Sequence, residues 1–278
     1  MQIKARGSVL DLSTPQVMGI LNVTPDSFSD GGTHNRYHDA IDHVAKMVQE
    51  GATIIDIGGE STRPGAAEVS VSEELDRVIP VVEAIAQRFD AWISVDTSKA
   101  KVMAEAAKAG MHIINDIRSL HEPDALAVAA KTGLPVCIMH MQGQPRTMQE
   151  APNYENVVRE VQDYLAAEIA RCVAAGIERQ QIILDPGFGF GKNLSHNYQL
   201  LANLEQFHNF GLPLLAGMSR KSMIGQLLNV PPQDRLAGSL TCAVIAAMQG
   251  AHIIRVHDVQ ETAQAMQVVQ MTMSKKEI

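Results

Sequence analysis

Short apolar runs alternate with longer amphipathic stretches from one end of the chain to the other. The runs at 16–21, 53–57, 92–95, 112–115, 135–139, 181–184, 213–216 and 252–256 mostly lack the period-two alternation of a half-exposed strand. This is the pattern of parallel strands covered on both faces. Between and after them, helix-like segments occupy 37–50, 72–88, 98–109, 124–131, 154–175, 196–207, 235–249 and 260–274. Gly51, Gly110, Gly133, Gly176, Gly211 and Gly250 close several of these, at the place past a helix end where a positive φ is wanted. Eight strands, with no linker or low-complexity stretch, predict an α/β fold: a single (β/α)8 TIM-barrel domain over 1–278, with its site at the C-terminal ends of the strands. An open doubly wound sheet fits the same alternation. The count of eight, and a length of 278 residues against about 250 for a typical barrel, favour closure.

Composition and charge narrow the partners. Hydrophobic residues make up 46% of the chain and charged ones 19%, enough apolar material for one sizeable core. A net charge of −8 argues against a general nucleic-acid or membrane-surface binder, so an anionic ligand needs a local basic cluster. Cys137, Cys172 and Cys242 form no C-x-x-C pair, and Cys137 and Cys242 are expected as buried reduced thiols. The N-terminal residues lack the apolar core of a signal peptide, and no run approaches the roughly 18 apolar residues of a membrane span. The expected location is the cytoplasm.

Candidate chemistry sits where the strands end. The residues at or just past the eight runs are Asn22, Asp56, Asp96, Asn115, His140, Asp185, Ser219 and Arg255 with His257. Any single Asp, Asn or Ser there reads equally well as a helix cap or turn residue. Polar groups at all eight ends, including an Arg and a His that make poor caps, are better explained by a converging pocket. Asp56, Asp96, Asn115 and Asp185 can accept hydrogen bonds from a ring rich in N–H groups. Arg63, Ser219, Arg220, Lys221, Arg255 and His257 offer donors and positive charge. Together they suit a polar heterocycle joined to an anion. The loops after strands seven and eight, the usual phosphate-binding place in this fold, carry Gly-Met-Ser-Arg-Lys at 217–221 and Arg-Val-His at 255–257. The glycine-rich run from Gly187 to Lys192 fits neither the Walker nor the dinucleotide spacing. His34, His38 and His43 lack a metalloprotease spacing and are expected in solvent. His140 is open to a structural or a functional reading. Met139 is the one methionine placed in the pocket, the rest filling the core.

Two loops are more specific. Asn-Val-Thr-Pro-Asp-Ser-Phe-Ser-Asp-Gly-Gly at 22–32 follows the first strand, and Asp-Ile-Gly-Gly-Glu-Ser-Thr-Arg-Pro-Gly-Ala at 56–66 overlaps the end of the second. Both closely resemble the diagnostic loops of the dihydropteroate synthase family. The resemblance continues, in order, through Val95-Asp96, Ile114-Asn115-Asp116, the Asp-Pro-Gly-Phe-Gly-Phe-Gly-Lys run at 185–192, and the two loops at 217–221 and 255–257.

This resemblance implies a transferase of folate biosynthesis that condenses a pterin methyl diphosphate with 4-aminobenzoate, releases pyrophosphate, and is a sulfonamide target as a family. It implies a pterin pocket lined by Asp96, Asn115, Asp185 and Lys221, with Met139, Phe190 and Gly217 on the ring faces and Arg255 stacked on the pterin. Asn22, Arg63, Arg255 and His257 would hold the diphosphate, and Asn22 would be the Mg2+ contact. Phe28, Thr62, Arg63, Pro64, Ser219 and Lys221 would frame the aminobenzoate site. Catalysis would fall to Asp96, Lys221, Arg255 and His257, and the implied assembly is a homodimer. Residues 24–35 and 62–71 have the polar, glycine-containing makeup of active-site lids. Two competing functions are a corrinoid-linked pterin methyltransferase and a non-catalytic barrel. The first would not need the two long loops, and the intact strand-end carboxylates, Asn22 and Lys221 argue against the second.

Overall fold

Val- and Ile-rich runs buried on both faces make the strands, so the sheet has helices outside and side chains filling its centre. The structure, a computed structural model, describes residues 1–24, 33–61, 69–143, 148 and 152–275. The strands of the main sheet are β3 (Gln16–Asn22), β4 (Ile54–Gly58), β5 (Trp92–Asp96), β6 (Ile113–Asp116), β7 (Val136–Met139), β8 (Ile182–Asp185), β9 (Leu215–Ala216) and β10 (Ile253–Val256). Every described pairing among them is parallel, in the order β8-β7-β6-β5-β4-β3-β10-β9. The cylinder closes where Leu184 of β8 bridges Leu214 in parallel, its N–H donating to Pro213 O at 2.9 Å. This is the (β/α)8 barrel expected from the alternation.

The helices are α1 (Thr33–Gln49), α2 (Val71–Arg88), α3 (Ala100–Ala109), α4 (Ala125–Thr132), α5 (Val157–Ala174), α6 (Leu194–Ala202), α7 (Ser222–Leu228), α8 (Leu236–Met248) and α9 (Val259–Met273). Local chemistry fixes their starts. Ser70 and Glu73 form a reciprocal capping box at α2, and Asn156 and Asn193 accept the first free N–H groups of α5 and α6. The six helix-closing glycines all take positive φ, from 64° at Gly211 to 126° at Gly110. Three features differ from the pattern reading. The stretch 196–207 breaks after α6, at Asn203, and continues as a 3-10 helix (Leu204–Phe210); the Asn203 side chain bonds back to Gln199 O at 2.8 Å, a competition that weakens helices. The seven-residue α7 shows too few turns to register as a period. The third is a hairpin of β1 (Gln2–Ala5) and β2 (Ser8–Asp11), turning at Arg6 and Gly7 with φ of 53° and 81°. Gln181, just before β8, bonds Lys4 on both its N–H and its C=O, so the hairpin covers the end of the barrel opposite the strand exits.

Buried apolar residues form one cluster running from Ile3 to Val269. All three cysteines are buried and free. Among the described residues no helix is long and apolar enough to cross a membrane.

Candidate active site

Strand register sets the first layer of the site. Asn22, Gly58, Asp96 and Asn115 stand side by side across β3, β4, β5 and β6. Two residues below, Asp56 stands beside Ser94. Asp56 is fully buried and accepts from Ser94 Oγ at 2.6 Å, from Asn115 Nδ2 at 3.3 Å to each oxygen, and from Arg255 Nε at 2.7 Å. One carboxylate thus ties four strands together beneath the pocket. It is not a strand-exit group open to a ligand, as the sequence suggested; its lone pairs are already engaged by these three donors.

Above it, Arg255 Nη2 donates to Asp96 Oδ2 at 3.3 Å. Burial and then the charge of Asp56 push the Asp96 carboxyl up to about 7, with Arg255 pulling the other way. Burial works against the Arg255 charge, but Asp56 and Asp96 outweigh it and hold the guanidinium protonated more firmly than usual.

On the opposite wall, Asp185 ends β8 and accepts the Gly187 N–H at 2.8 Å. Burial raises its pKa against the pull of Lys221. Lys221 donates to Phe188 O at 2.6 Å and stands 4.7 Å from the centre of the Phe190 ring. Burial lowers the Lys221 pKa to about 8, opposed by Asp185. A Cβ at Gly217 would lie 3.6 Å from Arg255 Cβ and 4.0 Å from Lys221 Nζ, so the glycine leaves the space between these two cations open. Met139 is buried beside Asp185 in register, its main chain pinned at both N–H and C=O by the Ser119 hydroxyl.

At the rim, Ser219 Oγ accepts the His257 N–H at 3.1 Å and lies 3.1 Å from its Nδ1, joining the loops after β9 and β10. Arg220 departs from the sequence reading. Its φ is 57°, its N–H donates to Ser239 Oγ at 2.9 Å, and its guanidinium takes a two-pronged grip on Asp258. Its charge is therefore engaged structurally rather than offered to an anion. Asn22 closes β3 with its side chain above Gly58. Phe28, Thr62, Arg63 and Pro64 lie outside the described residues, as do 25–32 and 62–68 of the two loops read as lids.

Other contributors were not legible in the sequence. Asp116 receives Ser98 Oγ and the N–H groups of Arg118 and Leu120, both at 2.8 Å, which fixes the turn after Asn115. Lys192 is buried against His140, whose Nδ1 lies 2.8 Å from the ammonium. Burial and then Lys192 hold the titration of that imidazole far below the usual histidine range. No group of three or more His, Cys, Asp or Glu able to hold a metal occurs among the described residues.

The family model described as "Pterin binding enzyme" matches residues 18–257. A dihydropteroate synthase of Escherichia coli (strain K12) is 72% identical over 277 residues, covering 100% of this chain and 98% of the relative. The crystal structure of the Yersinia pestis dihydropteroate synthase in a sulfonamide drug complex is 68% identical, with a TM-score of 0.95 over 99% of this chain and 100% of that one. A Xanthomonas albilineans dihydropteroate synthase in complex with 7,8-dihydropteroate is 44% identical, with a TM-score of 0.90 over 99% of both chains. A match spanning the barrel from β3 to β10, joined to this identity over the full length, places the chain in the pterin-binding enzyme family, among its dihydropteroate synthases.

Proposed function

We propose that this chain condenses 6-hydroxymethyl-7,8-dihydropterin diphosphate with 4-aminobenzoate to give 7,8-dihydropteroate and pyrophosphate. The observation that carries the reading is the meeting of Asp96 and Asp185 with Lys221 and Arg255 at one barrel mouth. Carboxylates there accept from the N–H edge of a pterin, and the cations beside them meet a diphosphate. In this reading Asp96, Asn115, Asp185 and Lys221 bind the pterin edge, Met139, Phe190 and Gly217 flank the ring, and Arg255 stacks on it. Asn22, Arg63, Arg255 and His257 hold the diphosphate. Phe28, Thr62, Arg63, Pro64, Ser219 and Lys221 receive aminobenzoate. The relative from Yersinia pestis was solved with a sulfonamide drug, and the same drug class is expected to compete with aminobenzoate here.

The reaction breaks the bond between the pterin methylene carbon and its diphosphate oxygen, and the electron pair leaves with pyrophosphate. The amine lone pair of aminobenzoate forms the new C–N bond, and the nitrogen loses a proton to solvent. Arg255 and His257 oppose the charge that grows on the leaving group, while Asp96 stabilises positive charge left on the pterin. The barrel holds the two reactants in line. Asn22 would hold a Mg2+ ion, which would add to the neutralisation of the diphosphate.

The chain is read as a single cytoplasmic barrel domain that forms a homodimer. Leu227 and Leu228 of α7, Ile245 and Met248 of α8, and Val268 and Met271 of α9 are exposed on three consecutive helices, α8 packing on both neighbours, and offer an apolar face for self-association. The purified chain is expected to release one pyrophosphate per dihydropteroate, only when both pterin diphosphate and 4-aminobenzoate are supplied. A corrinoid-linked methyltransferase or a binding module would release none, and either result would end this reading.

A further inference from the structure

We propose that Lys192 is a positioning residue for pterin recognition: its buried ammonium gathers the loops after β7 and β8 and so sets the place of Lys221 and Phe190. This inference rests on the pterin reading above. Lys192 is 2% exposed and its Nζ lies 2.8 Å from His140 Nδ1, 2.8 Å from Gly187 O, 3.0 Å from Phe190 O and 3.3 Å from His140 O. A lysine is seldom buried without a carboxylate in contact. Here the Nζ donors meet carbonyls and a ring nitrogen contributed by two different strand exits, while burial pulls the amine well below the usual lysine range.

The reason lies in the backbone. The two loops approach so closely that a Cβ at Gly187 would stand 1.9 Å from His140 O, and Gly187 takes a φ of 74°. Gly187 O accepts the Phe190 N–H at 3.1 Å within the turn, and Lys192 donates to both the Gly187 and the Phe190 carbonyls. Without it, the Phe190 and His140 carbonyls lose this donor and Gly187 O keeps only the Phe190 N–H, so the segment relaxes to regain hydrogen bonds. That segment carries the two groups that fix Lys221: the Phe188 carbonyl it donates to and the Phe190 ring beneath it. Loss of Lys192 therefore reaches the pterin side of the site. The loops after β3 and β4, which are read as framing most of the aminobenzoate site, leave strands far from β7 and β8 in the sheet order.

The test uses the full chain with Lys192→Met, which removes every donor, and Lys192→Gln, which keeps two. Calorimetry with pterin diphosphate and Mg2+, aminobenzoate omitted, reads pterin affinity; steady-state turnover reads the aminobenzoate KM. The expected result is a pterin Kd raised about tenfold or more by Met and less by Gln, with a smaller rise in the aminobenzoate KM, since of the groups displaced only Lys221 is shared with that site. Wild-type pterin affinity in a folded Met variant, or equal losses for both substrates in Met and Gln alike, overturns the proposal. If the Met variant does not fold, the Gln variant is judged on the same two numbers. A wild-type chain that binds pterin diphosphate but forms no product sinks the reaction assignment instead, and the binding comparison still decides the role of Lys192.

Discussion

Arg255→Met is expected to destabilise the protein by about 3–5 kcal/mol, in addition to removing activity, because it leaves the Asp56 charge buried without its cationic partner. Asp56 has no exposed surface, and among the described residues Arg255 is the one positive group of the three donors it receives. Ser94 and Asn115 would remain, but neutral donors do not offset a buried carboxylate charge. Urea unfolding followed by circular dichroism gives the loss directly. A second variant separates charge from packing. Asp56→Leu with Arg255→Met exchanges the whole buried pair for apolar side chains, which proteins often tolerate. The double variant should regain most of the lost stability and stay inactive. An Arg255→Met midpoint equal to wild type would show that Asp56 does not depend on the arginine.

Asp96→Asn and Lys221→Ala should each lower kcat/KM by at least about two orders of magnitude, or roughly 3 kcal/mol of transition-state stabilisation. Both side chains face the pocket from opposite walls, and the proposed pterin contacts need one negative and the other positive. Their pKa values set a pH window. Activity toward the pterin substrate is expected to fall below about pH 7, where Asp96 takes up a proton, and above about pH 8, where Lys221 loses one. Asp96→Asn should abolish the acid limb. Unfolding does not explain that limb. A carboxyl whose pKa is raised by folding contributes stability that is present at low pH and lost as pH rises through about 7, so acidification strengthens the fold through this group. Near-wild-type kcat/KM in either variant removes that residue from the site.

How much of this was legible in the sequence follows from the physics of each feature. The eight strands stood out because parallel strands covered on both faces, such as Ile54–Gly58, are continuous apolar runs. The hairpin of β1 and β2 did not, since four-residue strands carry too little pattern. Strand ends located the site, yet the sequence could not say which carboxylate faces a ligand. Asp56 and Asp96 look alike in the chain, and only the register, with Ser94 and Arg255 meeting Asp56, tells them apart. Arg220 and Lys221 are adjacent, but the left-handed turn at Arg220 commits one to Asp258 while the other reaches Phe188 O. The part played by Lys192 has no signature in the sequence, because its partners are main-chain carbonyls and a histidine from another loop.

The central chemical claim is that charge separates across the site, pyrophosphate leaving before the amine attacks. The measurement that bears on it most directly places ¹⁸O at the bridging oxygen of the pterin diphosphate and incubates it with enzyme and Mg2+, aminobenzoate omitted. Reversible cleavage lets pyrophosphate turn within the grip of Arg255, His257 and Asn22, so the account predicts label in non-bridging positions of recovered substrate. Turnover with electron-poor aminobenzoate analogues, run alongside, should then depend weakly on amine basicity. Unmoved label together with a rate that falls steeply as the amine becomes less basic would contradict the account and establish direct displacement.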